Sequence, residues 1–298
     1  MSFPSMRFIK PPSSDDKGII CCELCPHYCK IKPGKSGLCK VRVNSGGSAE
    51  IPYYGHVTSL ATDPIEKKPL YHFRPGTKIL SAGFVGCNLA CPFCQNWHIS
   101  QNIEAPGRYI SPTELIQAAK KDKQIAYTYS EPLIHIEYLL DSMNEAKKAG
   151  VANVLVTNGC INSKPALEVL ELTDAANIDL KCFSKKTYKE ILGGDLDTVL
   201  GFIKKAIEMD VHVEITTLLV PGLNDKQEEL DGIIGFIAEL ESKGKEIPWH
   251  VSAYHPDWKW NTAATPEELV FKTIEKAQSH LKYVYAGNVR ARQYYPKQ

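Results

Sequence analysis

Three cysteines lie close together in the run Gly86-Cys87-Asn88-Leu89-Ala90-Cys91-Pro92-Phe93-Cys94-Gln95-Asn96, with the spacing C-x3-C-x2-C. Thiolates are soft ligands suited to iron in a cluster. A cubane has four irons, so three protein thiolates leave one iron open to a chelating ligand, whereas a fourth thiolate would favour plain electron transfer. Zinc is the competing reading, because closely spaced cysteines are common zinc ligands and His98 offers a candidate fourth donor. No other neighbouring residue supplies that donor, and the loop directly follows a strand-like segment. Both points favour iron–sulfur chemistry.

A second group precedes it, Cys22-x2-Cys25-x3-Cys29-x9-Cys39, inside a Gly-rich segment. Four thiolates can complete a structural zinc site, which would supply folding energy to a region with little core, or hold a second iron–sulfur cluster. Spacing leaves both open, along with free thiols, and Cys21 can stand in for Cys22. Of the ten cysteines only Cys160 and Cys182 stand apart. Such clustering reads as metal sites in a reducing compartment, not as a disulfide framework.

Ligands of this kind need a frame. From residue 79 onward, apolar runs alternate with helical stretches. Strands are expected at 78–82, 124–129, 151–157, 176–180, 211–219 and 248–254, with 282–286 as a further one. Helices are expected at 112–121, 133–149, 165–171, 197–209, 225–243 and 266–279. Ser111-Pro112-Thr113-Glu114 and Thr265-Pro266-Glu267-Glu268 read as helix starts, Asn224 or Asp225 as the cap of the 225–243 helix, and Gly150 and Gly244 as stops. Strands each followed by a helix predict an α/β fold, an open or partial (β/α) TIM-like barrel, with chemistry at the strands' C-terminal ends. A small N-terminal cysteine-rich region precedes it. The expected layout is a flexible arm over 1–18, a metal-binding region over 19–78, the barrel over 79–291 and a tail over 292–298.

The cysteine loop resembles that of the radical S-adenosylmethionine (SAM) superfamily, and within it the chain is similar to activating enzymes of the pyruvate formate-lyase type. It resembles more closely the "AmmeMemoRadiSam system" radical enzymes. Cys22-Glu23-Leu24-Cys25-Pro26, the run from Asp63-Pro64-Ile65-Glu66-Lys67-Lys68 to Pro69-Leu70-Tyr71-His72-Phe73, and the loop at 86–96 carry that resemblance. It implies a [4Fe-4S] cluster on Cys87, Cys91 and Cys94 whose open iron chelates S-adenosyl-L-methionine. Cleavage then gives methionine and a 5'-deoxyadenosyl radical that removes hydrogen from a substrate.

The resemblance also implies cofactor contacts. Phe93 matches an aromatic position near adenine. Glu131, in Tyr129-Ser130-Glu131-Pro132, stands where a Gly-Gly-Glu-Pro motif meets the methionyl amine, with both glycines replaced. Lys181, on one strand face with Asp179, matches a carboxylate-binding lysine. Asn158, after Thr157, is a candidate cofactor contact. His250, in Pro248-Trp249-His250, is a candidate for adenine or substrate. Val156 stands where related enzymes carry an Asp of a cation site, so that site is not expected. The bland readings are a solvated helix-start acid for Glu131, a salt bridge for Asp179 and Lys181, a turn for Asn158-Gly159, and a structural histidine.

Charge and hydropathy exclude other classes. Thirty-five basic and 34 acidic residues leave a net charge of +1, which gives no broad field for nucleic acid. No stretch approaches the roughly 20 apolar residues that span a bilayer, and no leader-like run opens the chain, so a cytoplasmic location without a membrane is expected. A low-potential donor such as flavodoxin or ferredoxin is the implied partner, with an unidentified protein or small-molecule substrate. A noncatalytic electron-transfer or regulatory metalloprotein is the opposing class.

Overall fold

The computed structural model describes residues 4–10 and 18–290. The tail expected over 292–298, and residues 1–3 and 11–17 of the arm, lie outside the described residues. Within that arm, residues 4–10 pack on the body. Met6 is buried, the Arg7 N–H donates to Glu137 Oε1 at 2.6 Å, and Ile9–Lys10 pair antiparallel with Ile20–Cys22.

Seven parallel strands follow one another around the main sheet: Lys78–Gly83, Gln124–Thr128, Ala152–Thr157, Ala175–Asp179, His212–Leu219, Trp249–Ala253 and Val284–Gly287. Their residues are buried almost throughout, as expected for a sheet lined on one face by helices and on the other by its own interior. An eighth strand, Ser59–Pro64, pairs antiparallel with Lys78–Gly83 in the register Ser59↔Gly83 to Pro64↔Lys78. It and Val284–Gly287 are the two edges, so the barrel is partial. Sequence pattern placed 59–64 in the cysteine-rich region. Its exposed alanine and threonine give no strand alternation there.

Crossover helices begin and end where local chemistry dictates. Ser111 closes a capping box with Glu114 on the helix Pro112–Ala119. Gly150, at φ 67°, stops Ile136–Lys148 in the left-handed conformation glycine tolerates best. Two expected caps are corrected. Thr265 donates its hydroxyl to Leu219 O and accepts the Tyr254 N–H at 2.9 Å, leaving Pro266 at the helix start. Asn224 and Asp225 accept from the N–H groups of Val220 and Gly222, so they close the turn and do not cap Gln227–Glu241.

The chain between Ser59–Pro64 and Lys78–Gly83 crosses beneath the barrel. Pro69 O accepts from Asn177 Nδ2 at 2.7 Å, and the backbone N–H groups of Tyr71 and His72 donate to Glu214 at 3.0 and 2.8 Å. This strap is the barrel floor. The N-terminal region adds two small antiparallel sheets, one from Ile9–Lys10, Ile20–Cys22 and Lys30–Ile31 and one from Lys35–Ser36, Val43–Ser45 and Ser48–Glu50. A buried ion pair holds them to the barrel. Arg42 meets Glu137 through two nitrogens at 2.9 and 3.0 Å, and also donates to Arg7 O.

Candidate active site

The strands' C-terminal ends open into a cavity of about 330 Å³. The loop after Lys78–Gly83 brings Cys87, Cys91 and Cys94 to its wall. Gly86 begins that loop at φ 81°, and a Cβ there would lie 2.7 Å from Cys39 O. Only glycine fits. Beyond it the backbone is pinned from several directions: Ala90 N–H to Leu192 O at 2.8 Å, Gln101 Nε2 to Leu89 O at 3.0 Å, and Asn88 Nδ2 to Cys160 O at 2.6 Å. A fixed loop can present three sulfurs without further ordering.

Local donors already face those sulfurs. The Leu89 N–H lies 3.3 Å from Cys87 Sγ, Asn158 Nδ2 lies 3.7 Å from the same atom, and Ser100 Oγ lies 3.2 Å from Cys94 Sγ. Burial pushes the Cys87 thiol well up and Cys91 up to about 12, with the Lys181 ammonium pulling Cys91 back. Metal loading must therefore displace protons. Three soft sulfurs on one cavity wall, with N–H donors aimed at them, fit a three-thiolate cluster. Among the described residues, no three His, Cys, Asp or Glu side chains are drawn around one point as a single ion would require. His98, the candidate zinc ligand, is exposed and off the cavity lining.

Glu131 follows the Gln124–Thr128 strand and is 1 % exposed. Its Oε1 accepts the Thr157 hydroxyl at 2.6 Å and the Leu133 N–H at 3.0 Å, and its Oε2 accepts the Asn158 N–H at 2.8 Å. Burial pushes its carboxyl up to about 7 against those three donors. Asp179 and Lys181, at the end of the next strand but one, meet at 2.9 Å and both line the cavity. Burial lowers the Lys181 pKa, but Asp179 and the Cys91 thiol outweigh it and hold the ammonium above the ordinary lysine value. Phe93 is buried in the wall and Asn158 lies between Glu131 and Cys87.

One candidate does not belong here. His250 is buried away from the cavity, with Nε2 2.7 Å from Glu214 Oε2 and Tyr71 edge-on at 4.6 Å. Ser252, two residues further along the same strand face, is the residue that reaches the cavity. His250 sits one layer too low, in the floor. There Glu214 also accepts from His212, and the donors hold its carboxyl at about 2 despite its burial.

Lys67 and Lys68, in the Asp63 to Phe73 run and expected at the active-site wall, do line the cavity, as does Tyr129. Lys68 is 3 % exposed, contacts Asp63 Oδ2 at 2.9 Å and lies 4.3 Å from the ring centre of Tyr129. The Tyr129 hydroxyl donates to the same carboxylate at 2.7 Å. Tyr129 holds a left-handed φ of 69° at the position where the related motif has glycine. Thr216, Leu218 and Asn177 line the interior only because they share strand faces with recognisable neighbours. Their alternation was the one available clue.

The cavity at the C-terminal mouth of this partial (β/α) barrel, lined by three thiols and by a paired acid and base, is where barrel folds place their chemistry. Residues 83–234 match the Radical SAM superfamily. The chain belongs to that superfamily, whose enzymes use SAM to generate radicals. It is 41% identical over 284 residues to an uncharacterised protein of Methanocaldococcus jannaschii, covering 92% of this chain and 83% of that one. It is 28% identical over 203 residues to the pyruvate formate-lyase-activating enzyme of Staphylococcus epidermidis, covering 62% of this chain and 78% of the other. Among solved structures it is similar in fold to a radical SAM methyltransferase from Sphaerobacter thermophilus. That match has a TM-score of 0.57 at 12% identity, over 74% of this chain and 68% of that one. SuiB of Streptococcus suis bound to SAM matches at a TM-score of 0.56 and 14% identity, over 73% of this chain and 53% of that chain. Among the described residues no helix is long and apolar enough to cross a membrane.

Proposed function

We propose that this chain is a radical SAM enzyme of the AmmeMemoRadiSam type, related to the pyruvate formate-lyase activating enzymes, that cleaves SAM reductively and removes hydrogen from a second substrate. The convergence of Cys87, Cys91 and Cys94 with Glu131, Asp179 and Lys181 on one cavity carries this reading. Cys87, Cys91 and Cys94 would hold a [4Fe-4S] cluster, which when bound and reduced would supply the one low-potential electron that divides SAM into methionine and a 5'-deoxyadenosyl radical. The chain's own residues hold SAM in place. Glu131 Oε2 has one donor, Asn158 N–H, which leaves a lone pair for the methionyl ammonium. Lys181, steadied by Asp179, takes the methionyl carboxylate, and Phe93 offers an aromatic face to adenine.

The cavity, at about 330 Å³, is at the low end of the roughly 300–1,000 Å³ typical of ligand pockets. Cofactor fills it, so a second substrate, whether a protein glycyl residue or a small molecule, presents its reacting group from the mouth. The electron comes from flavodoxin or ferredoxin. Anaerobic loading with iron and sulfide, followed by reduction and SAM, should release 5'-deoxyadenosine, and the Cys87→Ala, Cys91→Ala, Cys94→Ala triple variant should release none. Loaded protein that holds iron yet never forms 5'-deoxyadenosine would instead be a noncatalytic metalloprotein. Deuterium carried from labelled candidates into 5'-deoxyadenosine identifies the substrate.

A further inference from the structure

The function above leaves the upstream cysteines unused, and the fold gathers them. Strand alternation turns Cys22 inward to 5 % exposure, while Cys21 faces outward toward Tyr28 O at 3.6 Å. Cys22 is thus the member of the group. Its N–H donates to Cys29 O at 2.9 Å, which closes the 22–29 segment into one compact turn. Cys25 and Cys39 are each 8 % exposed. That hydrogen bond joins Cys22 to Cys29, and the backbone of Leu38, one residue before Cys39, meets the Cys29 sulfur, so the fourth cysteine is delivered to the same turn.

A backbone donor is aimed at this group. The Leu38 N–H lies 3.4 Å from Cys29 Sγ. N–H groups directed at sulfur stabilise thiolate over thiol. Two non-glycine residues beside these cysteines hold left-handed backbone, Tyr28 at φ 44° and Lys40 at φ 67°.

Chain order alone fits either metal: three cysteines fall within eight residues and the fourth follows ten residues on, a run that zinc or a cubane can use. Place in the fold favours the redox-active one. The site abuts the catalytic loop: Cys39 O packs against Gly86, and His27 Nε2 lies 2.8 Å from Asn88 O.

We propose that Cys22, Cys25, Cys29 and Cys39 hold a second [4Fe-4S] cluster, closed by four thiolates and packed beside the loop of Cys87. With no open iron it binds no SAM and exchanges single electrons only. The test is metal analysis and electron paramagnetic resonance on the anaerobically loaded full chain. Wild type should carry about eight irons and the Cys87→Ala, Cys91→Ala, Cys94→Ala variant about four, with a reduced-cluster resonance that SAM leaves unchanged. The Cys25→Ser, Cys39→Ser variant should retain about four irons and a resonance that SAM shifts. One zinc in the triple variant, or no metal there, overturns the proposal. A triple variant that keeps its iron while wild type fails to cleave SAM overturns the catalytic reading alone.

Discussion

Replacing Glu131 with Gln tests the cofactor seat most directly. The carboxylate accepts three donors and keeps one lone pair facing the cavity. If the amide oxygen of Glu131→Gln keeps Thr157 and Leu133, its NH2 group confronts the Asn158 N–H, donor against donor, and turns an N–H toward the methionyl ammonium. Loss of one charge-assisted contact costs about 1.5–3 kcal/mol, a roughly 10- to 150-fold weaker affinity for SAM. The same carboxyl, pushed up to about 7 by burial, is half protonated at neutrality. An ammonium binds the ionised form, so wild-type affinity should rise with pH through that value and then level off. The variant should show no such rise. Calorimetric titration of the cluster-loaded protein with SAM between about pH 6 and 8, with iron content measured alongside, reads both effects. Full iron content with wild-type affinity in the variant would refute the role given to Glu131.

Glu214→Gln removes an acceptor shared by His212, His250 and two backbone N–H groups, and should cost about 2–4 kcal/mol, read as a lower Tm. Because that carboxyl is held at about 2, below its unfolded value near 4.5, its contribution is complete above about pH 4.5 and lost as pH falls toward 2. Acid titration of wild-type stability should be steeper than that of the variant. Lys68→Met leaves Asp63 without its buried cation and should lower stability by about 1–3 kcal/mol, while Lys67→Met, at 68% side-chain exposure, should change it by less than about 0.5 kcal/mol in the same denaturation series. Gly86→Ala forces a Cβ to within 2.7 Å of Cys39 O at a left-handed φ, and should cost about 2–4 kcal/mol and reduce iron retained after desalting.

Repetition made the barrel legible. Each expected parallel strand lies within one or two residues of its observed bounds, because buried strands between capped helices punctuate the chain regularly. Ser59–Pro64 was not legible, since an edge strand with exposed Ala61 and Thr62 lacks a periodic signature. Strand alternation placed Asp179 and Lys181 on one face but gave no depth along the barrel, and depth is what separates His250 from Ser252. The contact of Lys68 and Asp63 with Tyr129 joins residues more than sixty positions apart through tertiary packing alone. The choice of Cys22 over Cys21 likewise required the pairing register of Ile20–Cys22.

The barrel floor also contains a built-in reporter. The amides of Tyr71 and His72 are bonded to a side-chain carboxylate and not to a neighbouring strand, so their solvent exchange is tied to one ionisable group. Above the titration of Glu214 the two protons should exchange slowly and together, and as that group gains its proton they should become labile ahead of the strands around them. Amide exchange at two adjacent residues would therefore register loosening of the floor before the barrel itself opens.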